Sequence, residues 1–124
     1  MEFLEGADLA TFLNKERRID VHRALVIARQ ICASLTEAHE LGVVHRDLKP
    51  ENVFLVRSRS GEELVKVLDF GLAKLLDAEP LEGRFNTADG AILGTPCYMA
   101  PEQVAGHEVG IKADLYALGA LMYR

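Results

Sequence analysis

Residues 20–41 constrain this chain most, because they read as one long helix that needs a surface to bury against. Asp20 can cap the N-terminus, and Gly42 can end the helix in a left-handed turn. Val21, Leu25, Ala28, Ile31, Cys32 and Leu35 recur at helical spacing, which predicts that their face is buried. Val43-Val44 then reads as a short β segment. Residues 53–56 and 64–68 are apolar and β-branched, with Ser58-Arg59-Ser60-Gly61 between them, which predicts a hairpin with a longer loop. Residues 8–13 read as a short helix, residues 1–4 as a strand end or linker, and residues 101–104 as the start of another short helix. Residues 74–94 are polar, carry Pro80, Gly83 and Gly90, and read as a mobile loop. Residues 114–123 are apolar almost all round, which predicts a buried helix. The pattern by itself predicts an α+β chain, mostly helical with a small sheet.

Composition narrows the class. The chain has 124 residues, enough for one modest domain with a core. A hydrophobic content of 49% and a charged content of 27% predict a soluble globular protein rather than a disordered one. The formal net charge of −5 argues against nucleic-acid binding, which favours a basic surface. No apolar run approaches the ~20 residues of a membrane span, and the acidic start lacks a basic signal-peptide region. A cytoplasmic location is expected. Cys32 and Cys97 stand far apart without metal-like spacing, so two reduced thiols are expected.

Two blocks carry chemistry. Residues 45–52 read His-Arg-Asp-Leu-Lys-Pro-Glu-Asn, and residues 69–71 read Asp-Phe-Gly. They bring together a potential base (Asp47), a cation (Lys49) and two oxygen ligands for a metal (Asn52 and Asp69), as phosphoryl transfer to a hydroxyl requires. Alone, the first block reads as a charged turn and the second as a strand-ending turn with one aromatic. Their spacing, followed by Gly94-Thr95-Pro96 and then Ala100-Pro101-Glu102, argues for chemistry instead.

In these blocks, and along residues 1–124, the chain resembles a eukaryotic-type Ser/Thr protein kinase. The stretch Ala73-Lys74 and the run from Cys97 to Gln103 look like bacterial members of that family. The resemblance implies a mostly helical C-terminal lobe in which a β-hairpin carries the catalytic groups, with ATP and Mg²⁺ as cofactors and a protein Ser/Thr hydroxyl as acceptor. It implies that Asp47 accepts the hydroxyl proton, that Lys49 reaches the transferred phosphate, and that Asn52 and Asp69 hold Mg²⁺. It further implies that Phe54 packs beneath adenine, that the Glu2 carbonyl and the Leu4 backbone bond to adenine, and that Asp8 meets the ribose. An acidic linker before a helix explains Asp8 equally well. His45 and Phe70 are expected to stack in a spine that Asp114 anchors. Thr95 is expected to contact the catalytic loop and substrate site. Thr87 is the better phosphosite, with Arg46 as the partner of the added phosphate.

The chain also departs from the family. It contains no Gly-x-Gly-x-x-Gly loop, and neither the strand lysine nor its partner glutamate precedes the linker. Residues 1–124 are therefore expected to be a partial kinase domain, from the inter-lobe linker through the helix after the activation segment, with the N-terminal lobe missing. A truncated lobe that serves as an interaction module, and a small-molecule kinase, are the competing expectations.

Overall fold

The computed structural model describes residues 6–70 and 96–123. The chain opens on strand β1 (Gly6–Asp8) and helix α1 (Leu9–Glu16), followed by the long helix α2 (Val21–Glu40). A single helical turn (Pro50–Asn52) leads into the hairpin of β2 (Val53–Arg57) and β3 (Glu63–Val67). A second short turn (Pro96–Tyr98), helix α3 (Pro101–Val104) and helix α4 (Ile111–Tyr123) complete the described elements. The three strands form one antiparallel sheet in the order β1-β2-β3.

Helix boundaries follow local chemistry. The Asp8 carboxylate accepts a hydrogen bond from the Thr11 amide at 2.8 Å and so caps α1. Asp20 caps α2 by accepting from the Arg23 amide at 3.1 Å. Gly42, at φ +74°, supplies the expected left-handed exit, and its N–H donates to the His39 carbonyl at 2.9 Å.

The hairpin is the one expected, with Val53 opposite Val67 and Leu55 opposite Val65. Val53, Leu55 and Val65 turn into the core, and the residues between them face the other side. Strand β1 was not foreseen. It pairs Gly6 with Val56 and Asp8 with Phe54. The approach is so close that a Cβ on Gly6 would lie 2.1 Å from the Leu55 carbonyl oxygen, so only glycine fits.

Two expectations are corrected. Residues 43–44 form no strand; the Val43 amide donates to the Ala38 carbonyl instead, folding the chain back on the end of α2. Ile31 and Leu35 are buried as expected, but the face they share turns toward Ile27 and away from the rest of the expected stripe. Val21 (76%), Leu25 (59%) and Cys32 lie exposed. Two apolar stripes run along this helix, and the sheet and α4 cover the second. Polar contacts fix that choice. Gln30 extends the sheet edge, accepting from the Val65 amide at 2.9 Å and donating to the Glu63 carbonyl at 3.2 Å. The Arg23 guanidinium forms a two-pronged pair with the Glu63 carboxylate and lies 4.3 Å over the Phe12 ring.

Ala113, Asp114, Ala117, Leu118 and Leu121 bury one face of α4. Its other side, with Ile111, Leu115, Tyr116 and Tyr123, is exposed. No helix among the described residues is long and apolar enough to cross a membrane. Both cysteines are free and exposed.

Candidate active site

Residues 43–49 have no regular structure, yet their polar groups are bound. The Asp114 carboxylate, fully buried on α4, accepts from the His45 amide at 2.9 Å and from the Arg46 amide at 2.8 Å. It also meets His39 Nε2 at 2.7 Å. A carboxylate taken out of water needs several donors to be stable there. Asp114 thus anchors the loop, as expected. His39, from the last turn of α2, is a partner that the sequence reading missed. The only signal for it is its place at a helix C-terminus, where a histidine is favoured.

His45 is the second interior post. Its Nε2 lies 2.7 Å from the Leu68 carbonyl, which can only accept, and its Nδ1 accepts from the Asp47 amide at 3.2 Å. These bonds put the ring proton on Nε2. The ring meets Phe70 edge-on, with centroids 4.7 Å apart. The expected His45–Phe70 stack is present, and it ties the Asp-Phe-Gly block to the loop.

Asp47 stands on this frame with its side chain 58% exposed. Lys49 Nζ lies 3.2 Å from its Oδ2. Asn52 Nδ2 donates to the Asp47 carbonyl at 2.8 Å and stands 3.5 Å from Asp47 Oδ2. Donation from Nδ2 orients the amide, and Asn52 Oδ1 accepts no hydrogen bond among the described residues.

The hairpin brings the second block to the first. The Val53–Val67 pairing places Leu68 beside Asn52, and the Leu68 amide donates to the Asn52 carbonyl at 2.8 Å. Asp69 follows at once, exposed and at φ 67°. Arg46 also has a left-handed backbone, at φ 69°. Such conformations cost a non-glycine residue about 1–3 kcal/mol and gather at functional sites. Across the sheet, half-buried Phe54 lies opposite Asp8. Both Asp8 carboxylate oxygens bond to Thr11, one to its amide and one to its hydroxyl, each at 2.8 Å. The Thr11 amide is the main cause that holds the Asp8 carboxyl below the usual aspartate value.

Gln103, in the first turn of α3, was also missed. Its Oε1 accepts from the Ala100 amide at 3.0 Å, and its Nε2 donates to the Arg46 carbonyl at 2.7 Å. Glu2, Leu4, Thr87 and Thr95, with Gly71 and Gly94, lie outside the described residues.

Asn52 and Asp69 fit a hard divalent cation. They offer one neutral and one anionic oxygen, and such an ion takes its remaining ligands from water and phosphate. No cluster of three or more His, Cys, Asp or Glu residues that could hold a metal occurs among the described residues.

The sequence model of the protein kinase domain matches residues 1–124. The chain belongs to the protein kinase domain family. Among curated relatives, the serine/threonine-protein kinase Pkn1 of Myxococcus xanthus is 48% identical over 124 residues, all of this chain and 17% of that protein. Serine/threonine-protein kinase A of Synechocystis sp. is 43% identical, over 99% of this chain and 24% of its own length. PknA of Mycobacterium tuberculosis is 38% identical, over 99% and 26%. The chain thus spans about a quarter or less of these kinases. Among solved structures, the PknI kinase domain of Mycobacterium tuberculosis superposes with a TM-score of 0.71 at 27% identity, over 98% of this chain and 40% of that one. The Rad53 kinase domain, crystallised with SCD2 and AMPPNP, superposes with a TM-score of 0.70 at 28% identity, over 99% and 40%. The family uses ATP and divalent metal in general.

Proposed function

We propose that residues 1–124 are the part of a serine/threonine kinase domain from the inter-lobe linker through α4. The gene product then transfers the γ-phosphate of ATP to a Ser or Thr hydroxyl of a protein in the cytoplasm. One observation carries this reading: an exposed Asp47 stands on a buried frame, with Asn52 bonded to its carbonyl and Asp69 next in chain to Leu68, whose amide bonds to the Asn52 carbonyl.

The roles follow from placement. The Asp47 carboxylate accepts the hydroxyl proton and aims the oxygen at phosphorus. Lys49, beside it, meets the transferred phosphate as a point charge. Asn52 and Asp69 would hold Mg²⁺, which would supply charge neutralisation to the phosphates. Phe54 packs under adenine, Asp8 reaches the ribose with lone pairs left by Thr11, and the Glu2 and Leu4 backbone bonds to the adenine edge. Thr87 is the site of activating phosphorylation with Arg46 as its partner, and Thr95 lines the substrate site. A phosphate found only at other residues after incubation with ATP would rule out Thr87. The relatives' names, all serine/threonine-protein kinases, favour a protein acceptor over a small molecule.

A second reading, an inactive lobe used as an interaction module, draws on the exposed apolar side of α4. Phosphotransfer by the full gene product separates the two. The kinase reading expects labelled phosphate on a protein Ser or Thr, with the signal abolished by Asp47→Asn. Absence of transfer from a folded, ATP-saturated protein would favour the module.

A further inference from the structure

The Asp47 backbone is held at three points. Its amide donates to His45 Nδ1, its carbonyl accepts from Asn52, and the carbonyl of the peptide that enters it, from Arg46, accepts from Gln103 at 2.7 Å. The first two partners belong to the same loop and its hairpin. Gln103 lies 57 residues from Arg46, on helix α3, which Ala100 opens and whose first two residues are the Pro and Glu of the Ala-Pro-Glu block. It grips the peptide where the strain lies, because Arg46 sits at φ 69°. Tilting that peptide rotates Asp47 relative to the hydroxyl it must meet.

We propose that Gln103 is a positioning residue for Asp47, and that it makes the set of the base depend on the seating of residues 100–104. This rests on the kinase reading above. A bland role is available as well: Gln103 Oε1 accepts from the Ala100 amide, which is half of a helix capping box. The two roles use different atoms, so one substitution separates them. Glu at this position keeps an oxygen for the Ala100 amide, since Glu and Gln serve equally in a capping box, but has no N–H for Arg46.

The test uses the full gene product, radiolabelled ATP and a mixed-sequence Ser/Thr peptide library, with Q103E, Q103A and D47N side by side. The expected result is that Q103E melts with wild type, keeps the KM for ATP, and loses about tenfold in kcat, the upper end of what one neutral hydrogen bond contributes. Q103A loses the same kcat and some melting temperature, because the cap goes too. Wild-type kcat in Q103E would overturn the proposal and leave Gln103 as a cap. So would a kcat loss that only tracks the unfolded fraction. Transfer by D47N at the wild-type rate would instead remove Asp47 as the base, and this inference with it, whereas no transfer by folded, ATP-saturated wild type would overturn the kinase reading itself.

Discussion

Residues 45–49 and residues 58–62 are both irregular, and they are held in opposite ways. The turn between β2 and β3 is closed by its own atoms. The Ser58 amide donates to the Glu62 carbonyl at 2.8 Å, Gly61 to the Ser58 carbonyl at 2.9 Å, and Glu62 to the Ser58 hydroxyl at 3.1 Å. Residues 45–49 are instead bound by Asp114 from α4, Leu68 from the end of β3, Asn52 from the turn before β2 and Gln103 from α3. A local turn can shift without consequence elsewhere. A loop tied to four elements keeps its exposed groups in one place, which chemistry on a positioned phosphate demands. The loop also divides its labour residue by residue: His45, Leu48 and Pro50 are buried, whereas Asp47 is open to solvent.

The sharpest way to break this contrast is Asp114→Ala. It removes the acceptor of two loop amides and of His39 from a buried site, and we expect a loss of about 3–5 kcal/mol in denaturant unfolding. A loss under 1 kcal/mol would mean that the loop stands without its anchor. Next, Asp47→Asn should cut phosphotransfer at least 100-fold, at about the lower end of general-base contributions. Its melting temperature should match wild type, because the side chain is largely exposed. A parallel fall in stability would place Asp47 in the frame rather than on it.

Local contacts should yield smaller effects. Asp8→Ala removes the cap of α1 and should cost about 1 kcal/mol at neutral pH. Because Thr11 lowers the folded carboxyl below its unfolded value, that stabilisation is complete above the ordinary aspartate range and is lost as pH falls through the folded value. The difference between wild type and mutant should therefore shrink in acid, and a constant difference down to full protonation would show that charge plays no part in the cap. Smallest of all, Ser58→Ala should change stability by no more than about 0.5 kcal/mol, since its bonds are exposed. A larger cost would mean that the hairpin turn is not the independent unit described.

The same division decides what was legible in the sequence. The Asp20 cap, the Gly42 exit, the hairpin and the blocks at 45–52 and 69–71 are local signals, and each can be read within a few residues. The His45–Phe70 stack and the Asp114 anchor were legible only through family resemblance. Strand β1 is three residues long and exists because Gly6 can approach Leu55, a pairing that nothing near Gly6 announces. The buried stripe of α2 was legible at Ile31 and Leu35 but not in its first turns, because either apolar stripe suits a helix there, and Gln30 and Arg23 reach residues 33 to 40 positions away to fix the choice. His39 and Gln103 were invisible for the same reason, their partners lying 75 and 57 positions off.

The central claim is that the base of one hairpin sets Asn52 and Asp69 to hold a metal-bound nucleotide. Thermal unfolding of wild type and Asp69→Asn, each with Mg²⁺ alone, ATP alone and both, tests it most directly. We expect Mg-ATP to raise the wild-type melting temperature, either component alone to do so less, and Asp69→Asn to lose the extra rise that requires both. An equal Mg-ATP shift in both proteins would contradict the claim, and would place the metal-bound nucleotide on other residues.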